Sequence, residues 1–439
     1  MTLADEVARQ PLLPGARQTS YWWEAAPRPQ RPQIPLPASV AVAIVGSGAT
    51  GLSAAITLAR AGMSVAVLEA GDPGQGASSR PTGVIGRTIK HGFGEILKSD
   101  GEKPAKAIYG ELRQAFDGIV DFIRREQIDC DLQQRGRFIA ANHPAMLKSM
   151  EEGLELKRRH LGDEHYMVSK AEQRSEIGSD LYHGGAVIAE HYLCHPGKYN
   201  LGMLALAEQA GAIVHARTAV TGTRRESDGH AVRTDRGTLQ ARHLIVATNG
   251  YTGKATPWLR RRAIPLNAYM AATEPLPPAL LRDLIPNLRV VHDNAMDTDY
   301  ARPSPDGTRL LFGALTGDSF SDLGVVAVKL HAKMRRIFPQ LAETRYDNVW
   351  TGRCAATFDL YPHIGSHEGV HYAMGYCFGS GLPLGTLFGD KLARRILGRP
   401  GGESAFDGLN FQTRPYYWGR PWFMPLLMRW YRMRERSGY

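Results

Sequence analysis

The chain is 439 residues long, enough for two or three domain-sized units with substantial cores. Its composition is that of an ordinary globular protein, and no apolar run approaches the ~20 residues of a membrane span. The net charge of +10 comes from 53 basic and 43 acidic residues, dispersed apart from Arg260-Arg-Arg262 and the tail; with no recognisable binding module beside them, a nucleic-acid partner is not expected.

Residues 1–37 are proline-rich, lack an apolar signal core and read as an extended arm, so a cytoplasmic protein is expected. Tyr21, Trp22 and Trp23 place three aromatics in that arm, which predicts docking onto the body. Val40–Val45 then reads as a buried parallel strand. The glycine turn Gly46, Ser47, Gly48, Ala49, Thr50, Gly51 follows, and Leu52–Ala61 carries a helical stripe. Ser64–Leu68 is a second strand that ends on Glu69 and Ala70. This strand, turn, helix, strand and acid fit a dinucleotide-binding unit. Gly46 allows the tight turn, Gly48 lets backbone approach a pyrophosphate, and Gly51 lets the helix pack on the strand. The helix start favours phosphate charge, and Glu69 can accept hydrogen bonds from ribose hydroxyls.

The small-residue loop 71–83 holds Gly76, Ala77, Ser78, Ser79, Arg80, Thr82 and Gly83, and can wrap a second phosphate and a bulky ring system. Residues 105–127 and 145–160 read as helices and 137–141 as a strand, opening a second domain. A helix is expected over 198–210, followed by strands near 213–216, 219–223, 231–234 and 239–244 as the chain returns to the nucleotide domain. Thr248, Asn249 and Gly250 follow the last of these. Residues 265–273 and 310–315 are strands, and 321–338 a helix. Residues 375–385 form a glycine-rich turn before a closing helix, 386–397. The cysteines, Cys130, Cys194, Cys354 and Cys377, are scattered, with no disulfide framework, which fits a reducing compartment. His191, Cys194 and His195 lack a second ligand cluster and read as loop residues, so no metal is expected.

Thr19–Trp22, the glycine turn, Gly76–Arg80, Ala247–Tyr251 and Ala272–Pro275 together resemble the FAD-dependent amine and amino-acid oxidase family that includes glycine oxidase and sarcosine oxidase. Leu310–Gly313, Trp350–Gly352, Thr357–Gly365 and Gly375–Gly385 continue the likeness in family order, with most similarity to gamma-glutamylputrescine oxidase-like members. The resemblance implies an α/β fold: a Rossmann-type FAD-binding domain and an α+β substrate domain built on an antiparallel sheet. The expected division is an arm at 1–37, a discontinuous FAD domain at 38–95, 195–255 and 345–400, a substrate domain at 96–194 and 256–344, and a tail at 401–439. It further implies that Val220 contacts the adenine side of FAD. Gly379, Ser380, Gly381, Leu382, Pro383, Leu384 and Gly385 would face the flavin from a helix start, which can stabilise negative charge on the reduced ring.

Amine oxidation needs the carbon beside nitrogen held against the flavin, with the hard chemistry left to the cofactor. Tyr300 falls where related oxidases place a pocket tyrosine, and Arg302 is a candidate for an anionic group. Amino-acid oxidases often carry a carboxylate-binding arginine at the position of Cys354; Arg353 is one residue off and would point the other way on a strand. That favours a longer amine with its charge elsewhere. Pro81 removes one N–H donor from the loop. No lysine lies in 298–302, where sarcosine oxidase-type enzymes keep one near the oxygen site, and His292 is the candidate for positive charge instead. The acceptor therefore stays open between oxygen, giving hydrogen peroxide, and a quinone or protein as in a dehydrogenase. A non-catalytic FAD-binding protein is the rival from another class. FAD is expected to be non-covalent: the position of the linking cysteine in sarcosine oxidases is Gly352 here, and 78–83 holds no histidine such as other relatives use for the link. The aromatic and basic tail, with a helical stretch at 422–431, is read as docking on the body or meeting a membrane surface or another subunit.

Overall fold

Apolar strands buried on both faces form the centre of the first of two large sheets, and Val84–Ile85 with Tyr192–Leu193 makes a small third. The computed structural model describes residues 11–436 apart from Met296 and Cys377, so the first ten residues of the expected arm and one residue of the glycine-rich turn lie outside the described residues. Ser39–Val45 runs parallel between Val65–Leu68 and the second half of Gly237–Val246, and Ile213–His215 extends the sheet past Val65–Leu68. Val42, Ala43 and Ile44 are wholly buried, which is why this strand reads as an unbroken apolar run. Gly237–Val246 serves two partners on its other edge, antiparallel to Gly229–Thr234 and then parallel to Val370–Met374. Val220–Glu226 and His363–His367 complete eight strands.

Helices Ala49–Arg60, Pro196–Gln209, Gly381–Ile396 and Glu102–Arg125 share one core against this sheet. The last of them departs from the expected division, which put it in the substrate domain. Its stripe of Ile108, Leu112, Phe116, Ile119 and Ile123 is buried in the same core as Leu52, Leu58 and Phe388. Periodicity shows which face of a helix is buried, not which layer buries it.

The second sheet has nine strands, in the order Leu12–Arg17, Tyr346–Ala356, Ile264–Thr273, Leu310–Ala314, Tyr300–Pro303, Val290–Asp293, Arg137–Ala140, Gly185–Ile188, Tyr166–Val168. Its pairings are antiparallel except at the arm and between Val290–Asp293 and Arg137–Ala140. Two placements differ from expectation. Part of the arm is an edge strand of this sheet. Tyr346–Ala356, assigned to the FAD domain, pairs along its length with Ile264–Thr273, from Tyr346 opposite Thr273 to Ala356 opposite Ile264. Return to the first sheet comes only at His363–His367. Helices Pro278–Leu284 and Leu323–Ile337 cover one face of the nine strands, where Leu281, Leu330 and Ile337 meet Phe312, Tyr346 and Val349 in one core. The opposite face turns Met270, Tyr300, His292 and Arg137 into a cavity shared with the eight-stranded sheet's glycine turn.

Trp22 sits in the short helix Trp22–Ala25 and is wholly buried against Met270 and Trp350, so the arm docks through its aromatics. At the other end, helix Met424–Arg436 packs Met424 and Met428 against Ile264, Leu266 and Tyr417. Trp418, Trp422, Leu426 and Trp430 stay exposed. Among the described residues no helix is long and apolar enough to cross a membrane.

Candidate active site

The glycine turn holds its shape through backbone and carboxylate. Gly46 has φ +103°, a conformation that favours glycine, and its N–H donates to Leu68 O at 2.9 Å. A Cβ on Gly51 would lie 2.0 Å from Gly46 O, so only glycine brings the helix this close to the strand. Glu69 accepts from Ser47 N–H at 2.9 Å, Ser47 Oγ–H at 2.7 Å and Gly71 N–H at 3.1 Å. A carboxylate offers about four acceptor positions, so capacity for a hydroxyl remains. Glu69 thus braces the turn as well as facing the cavity.

Loop 71–83 folds back over the turn. Ala49 N–H donates to Ser78 Oγ at 3.0 Å. Arg80 donates from Nε to Gln75 O and from Nη1 to Thr351 O, both at 2.8 Å, and its guanidinium lies 4.3 Å from the centre of the Trp23 ring. Burial lowers the Arg80 pKa. Ser79 points away from the cavity: it donates to Gly74 O at 2.6 Å and accepts from Trp23 Nε1–H at 2.9 Å. The loop therefore joins the nucleotide turn to the arm and to the second sheet.

A cavity of ≈ 1030 Å³ runs between the two sheets. That is at the top of the ~300–1,000 Å³ range of small-molecule sites. Val220, Glu69 and the Gly46–Thr50 turn line it from the eight-stranded sheet, and Met270, Tyr300, His292 and Arg137 from the nine-stranded sheet. Gly381 and Leu382, at the start of Gly381–Ile396, also reach it. The first amides of a helix have no partner within the helix and suit negative charge. A large, mainly apolar cleft with two helix starts and a glycine turn open to it fits FAD. The turn and the Ala49 helix start would hold pyrophosphate, Glu69 the ribose, Val220 the adenine side, and Gly381–Leu382 the flavin.

The sheet side supplies the remaining wall. A Cβ on Gly313 would lie 2.0 Å from Tyr300 Cε2, so the missing side chain lets the Tyr300 ring lie across the neighbouring strand. Behind it, Asp299 turns to the opposite face and pairs with Lys333 at 2.6 Å. Burial and the neighbouring Asp299 push the Asp293 carboxyl upward. Asn267, Trp350 and Cys354 complete the wall, and Cys354 Sγ lies 3.6 Å from Leu266 O.

Of the residues singled out by sequence, Gly46, Ser47, Gly48, Ala49, Thr50, Glu69, Ala70, Gly76, Ala77, Ser78, Arg80, Thr82, Val220, Thr248, Asn249, Gly379, Gly381 and Leu382 line this cavity, as do Tyr300, His292 and Cys354. Others stand behind it. Arg302 is buried and donates to Thr82 O at 2.7 Å and Cys194 O at 3.0 Å; it ties loop 71–83 to Cys194 and does not face the cavity. Gly83 accepts from Cys194 N–H at 2.8 Å in the same junction. Gly250 packs against Cys354, where a Cβ would lie 2.4 Å from its carbonyl oxygen. Ser380 accepts from Thr88 N–H at 2.7 Å. Pro383, Leu384 and Gly385 lie inside the helix, where Gly385 lets it approach Thr50. The expected positive charge at His292 is corrected: burial and nearby Arg137 hold its pKa down to about 3, and Nδ1 donates to Asp293 O at 2.8 Å, so the ring is neutral. His195 is a helix cap, accepting from Lys198 N–H at 3.1 Å. Sequence reasoning passed over Arg137, Asn267 and Tyr376. Their signal was a polar side chain on an otherwise apolar strand or turn, too common to single out.

Fold and cavity define a mixed α/β protein with a dinucleotide-binding turn opening into a cleft between two large sheets. The chain belongs to the FAD dependent oxidoreductase family, whose model matches residues 41–395. It is 31% identical to the gamma-glutamylputrescine oxidoreductase of Escherichia coli over 427 residues, which covers 96% of this chain and 99% of that protein. It is also 31% identical to a probable oxidoreductase OrdL of Haemophilus influenzae over 384 residues, 86% of this chain and 87% of that one. In three dimensions it matches glycine oxidase from Geobacillus kaustophilus with a TM-score of 0.71 at 22% identity, over 87% of this chain and 100% of that one. The chain is accordingly a FAD-dependent oxidoreductase whose relatives act on amines and amino acids.

Proposed function

We propose that this enzyme oxidises a primary or secondary amine of extended, gamma-glutamylputrescine-like form. The carrying observation is the cavity itself, which joins the nucleotide turn to the open face of the nine-stranded sheet at Tyr300. Bound FAD would supply the two-electron chemistry. The chain positions the amine: Tyr300 borders it, Met270 and Trp350 exclude water, and the Gly381–Leu382 helix start stabilises negative charge. The amine loses two electrons and two protons to become an imine, which water hydrolyses to a carbonyl compound and ammonia or a smaller amine. Electrons pass to oxygen, giving hydrogen peroxide; kinship with glycine oxidases supports this choice. A second reading, transfer to a quinone or protein, is favoured by one observation: neutral His292 cannot supply positive charge at an oxygen site.

Anaerobic mixing with a panel of amines, including putrescine, gamma-glutamylputrescine and glycine, tests the reading. Bleaching of the flavin absorbance by gamma-glutamylputrescine and not by glycine is the expected result. Bleaching by no amine would overturn amine oxidation. Peroxide formation on admitting air, against turnover only with a quinone dye, separates the two acceptors.

A further inference from the structure

Arg137 begins the strand Arg137–Ala140 and is only 5% exposed, yet it lines the cavity. Its guanidinium makes no hydrogen bond or ion pair among the described residues, and Nε is buried without a partner. Buried arginines are ordinarily paired, because an unpaired charge out of water is costly. The adjacent Arg87 is paired, with Asp163 at 2.5 Å and with Glu190. Arg137 instead has Arg87, Lys157, His191 and His292 around it and no acidic partner among the described residues, and burial with repulsion from Arg87 lowers its pKa to about 10. Sequence and fold have placed a desolvated cation beside the substrate space and left its partner to come from outside.

Its position relative to Tyr300 is set by strand register. Tyr300 lies opposite His292, and His292 beside Ile139. Arg137 is two residues from Ile139, so all three face the cavity side of the sheet. Two strand spacings across and two residues along put Arg137 about 12 Å from Tyr300 between Cα atoms.

We propose that Arg137 anchors a carboxylate at the end of the substrate remote from the reacting amine. This rests on the amine-oxidation reading for the place of the amine at Tyr300. A bidentate guanidinium–carboxylate contact would give the buried charge its missing partner. It also accounts for the absence of an arginine at Cys354: the acid is read far from the oxidised carbon, so short amino acids whose carboxylate sits beside the amine gain nothing from Arg137.

The test uses FAD-loaded protein and two probes that lack the reacting amine and so are not consumed: N-butylglutaramate and its neutral carboxamide. Calorimetry should show the wild type preferring the carboxylate by roughly ten- to hundredfold. In Arg137→Met that preference should vanish, and Arg137→Lys should restore part of it. Arg137→Met should keep its flavin absorbance and melt no lower than the wild type, whereas loss of an arginine with a structural role would lower the melting temperature. Binding of neither probe, no preference in the wild type, or a preference that survives in Arg137→Met overturns the proposal. Flavin bleaching by gamma-glutamylputrescine is read separately. An Arg137-dependent preference without bleaching upholds the carboxylate anchor and sinks the amine-oxidation reading instead.

Discussion

At the scale of single residues, Tyr300 is the sharpest probe of the pocket wall. Its ring lies over Gly313 and borders the cavity. If its hydroxyl contacts the amine, Tyr300→Phe should lose about 0.5–1.5 kcal/mol, a roughly three- to tenfold drop in kcat/KM. Tyr300→Ala should lose more, since it opens the wall. Stopped-flow flavin reduction measures both, and wild-type rates in both would mark Tyr300 as a packing residue. Cys354 concerns the cofactor link. It is the only cysteine lining the cavity among the described residues, and it stands two positions beyond Gly352, where the sequence likeness to sarcosine oxidases would put a linking cysteine. FAD should therefore be released by acid precipitation. Yellow colour left in the pellet, with flavin on a tryptic peptide, would refute a non-covalent site.

At the scale of elements, two helices meet at the cofactor turn. Gly389 sits where a Cβ would be 2.3 Å from Thr50 O and 2.7 Å from Ser53 Cβ. Gly389→Val should force helix Gly381–Ile396 away from Ala49–Arg60 and abolish FAD retention without altering any cavity-lining side chain. Full flavin occupancy in that variant would show that the pair can separate at little cost. His195 makes a pH prediction. It caps Pro196–Gln209 through an unprotonated Nδ1, and burial holds its pKa down to about 4. In the unfolded chain it protonates near its ordinary value of about 6.5. The folded value is depressed, so the stabilisation is complete above pH ~6.5 and is lost as pH falls toward 4. Its size is about 1–3 kcal/mol, allowing for partial solvent screening. His195→Asn keeps a capping acceptor that does not titrate. Its melting temperature should fall less between pH 7 and 4.5 than that of the wild type, and parallel acid limbs would exclude His195 as a contributor.

At the scale of the whole molecule, the arm links the nine-stranded sheet to the cofactor loop. Leu12–Arg17 joins the edge of the nine-stranded sheet, Trp22 fills a pocket against Met270 and Trp350, and Trp23 bonds to Ser79 of the cofactor loop. Trp22→Ala should cost about 3–5 kcal/mol. It should also lower FAD occupancy, because the same arm braces loop 71–83. Urea unfolding with flavin fluorescence measures both effects. A stability loss with full FAD occupancy would separate the arm's structural role from the cofactor site. The opposite end behaves differently: Met424 and Met428 anchor the last helix, while Trp422 and Trp430 on the tail face solvent.

The nucleotide unit was legible in sequence because its reasons are local. Gly46 needs a left-handed backbone, Gly51 needs the absence of a Cβ, and Ser39–Val45 needs two apolar faces; each shows as residue type at fixed spacing. Tyr300 and Val220 were reachable only through the family likeness, since nothing in their surroundings sets them apart. What tertiary structure alone decided is where elements go and what their polar residues meet. Tyr346–Ala356 joins the second sheet because Ile264–Thr273 offers it a full ladder, and Glu102–Arg125 covers the first because Phe388 and Leu58 meet its stripe. Arg302 and Arg137 are the same residue type on nearby strands. One finds the carbonyls of Thr82 and Cys194, while the other finds no acceptor among the described residues and lines the cavity. No local pattern distinguishes them, because the pairing of a buried charge depends on chain segments more than a hundred residues away, which only folding brings to it.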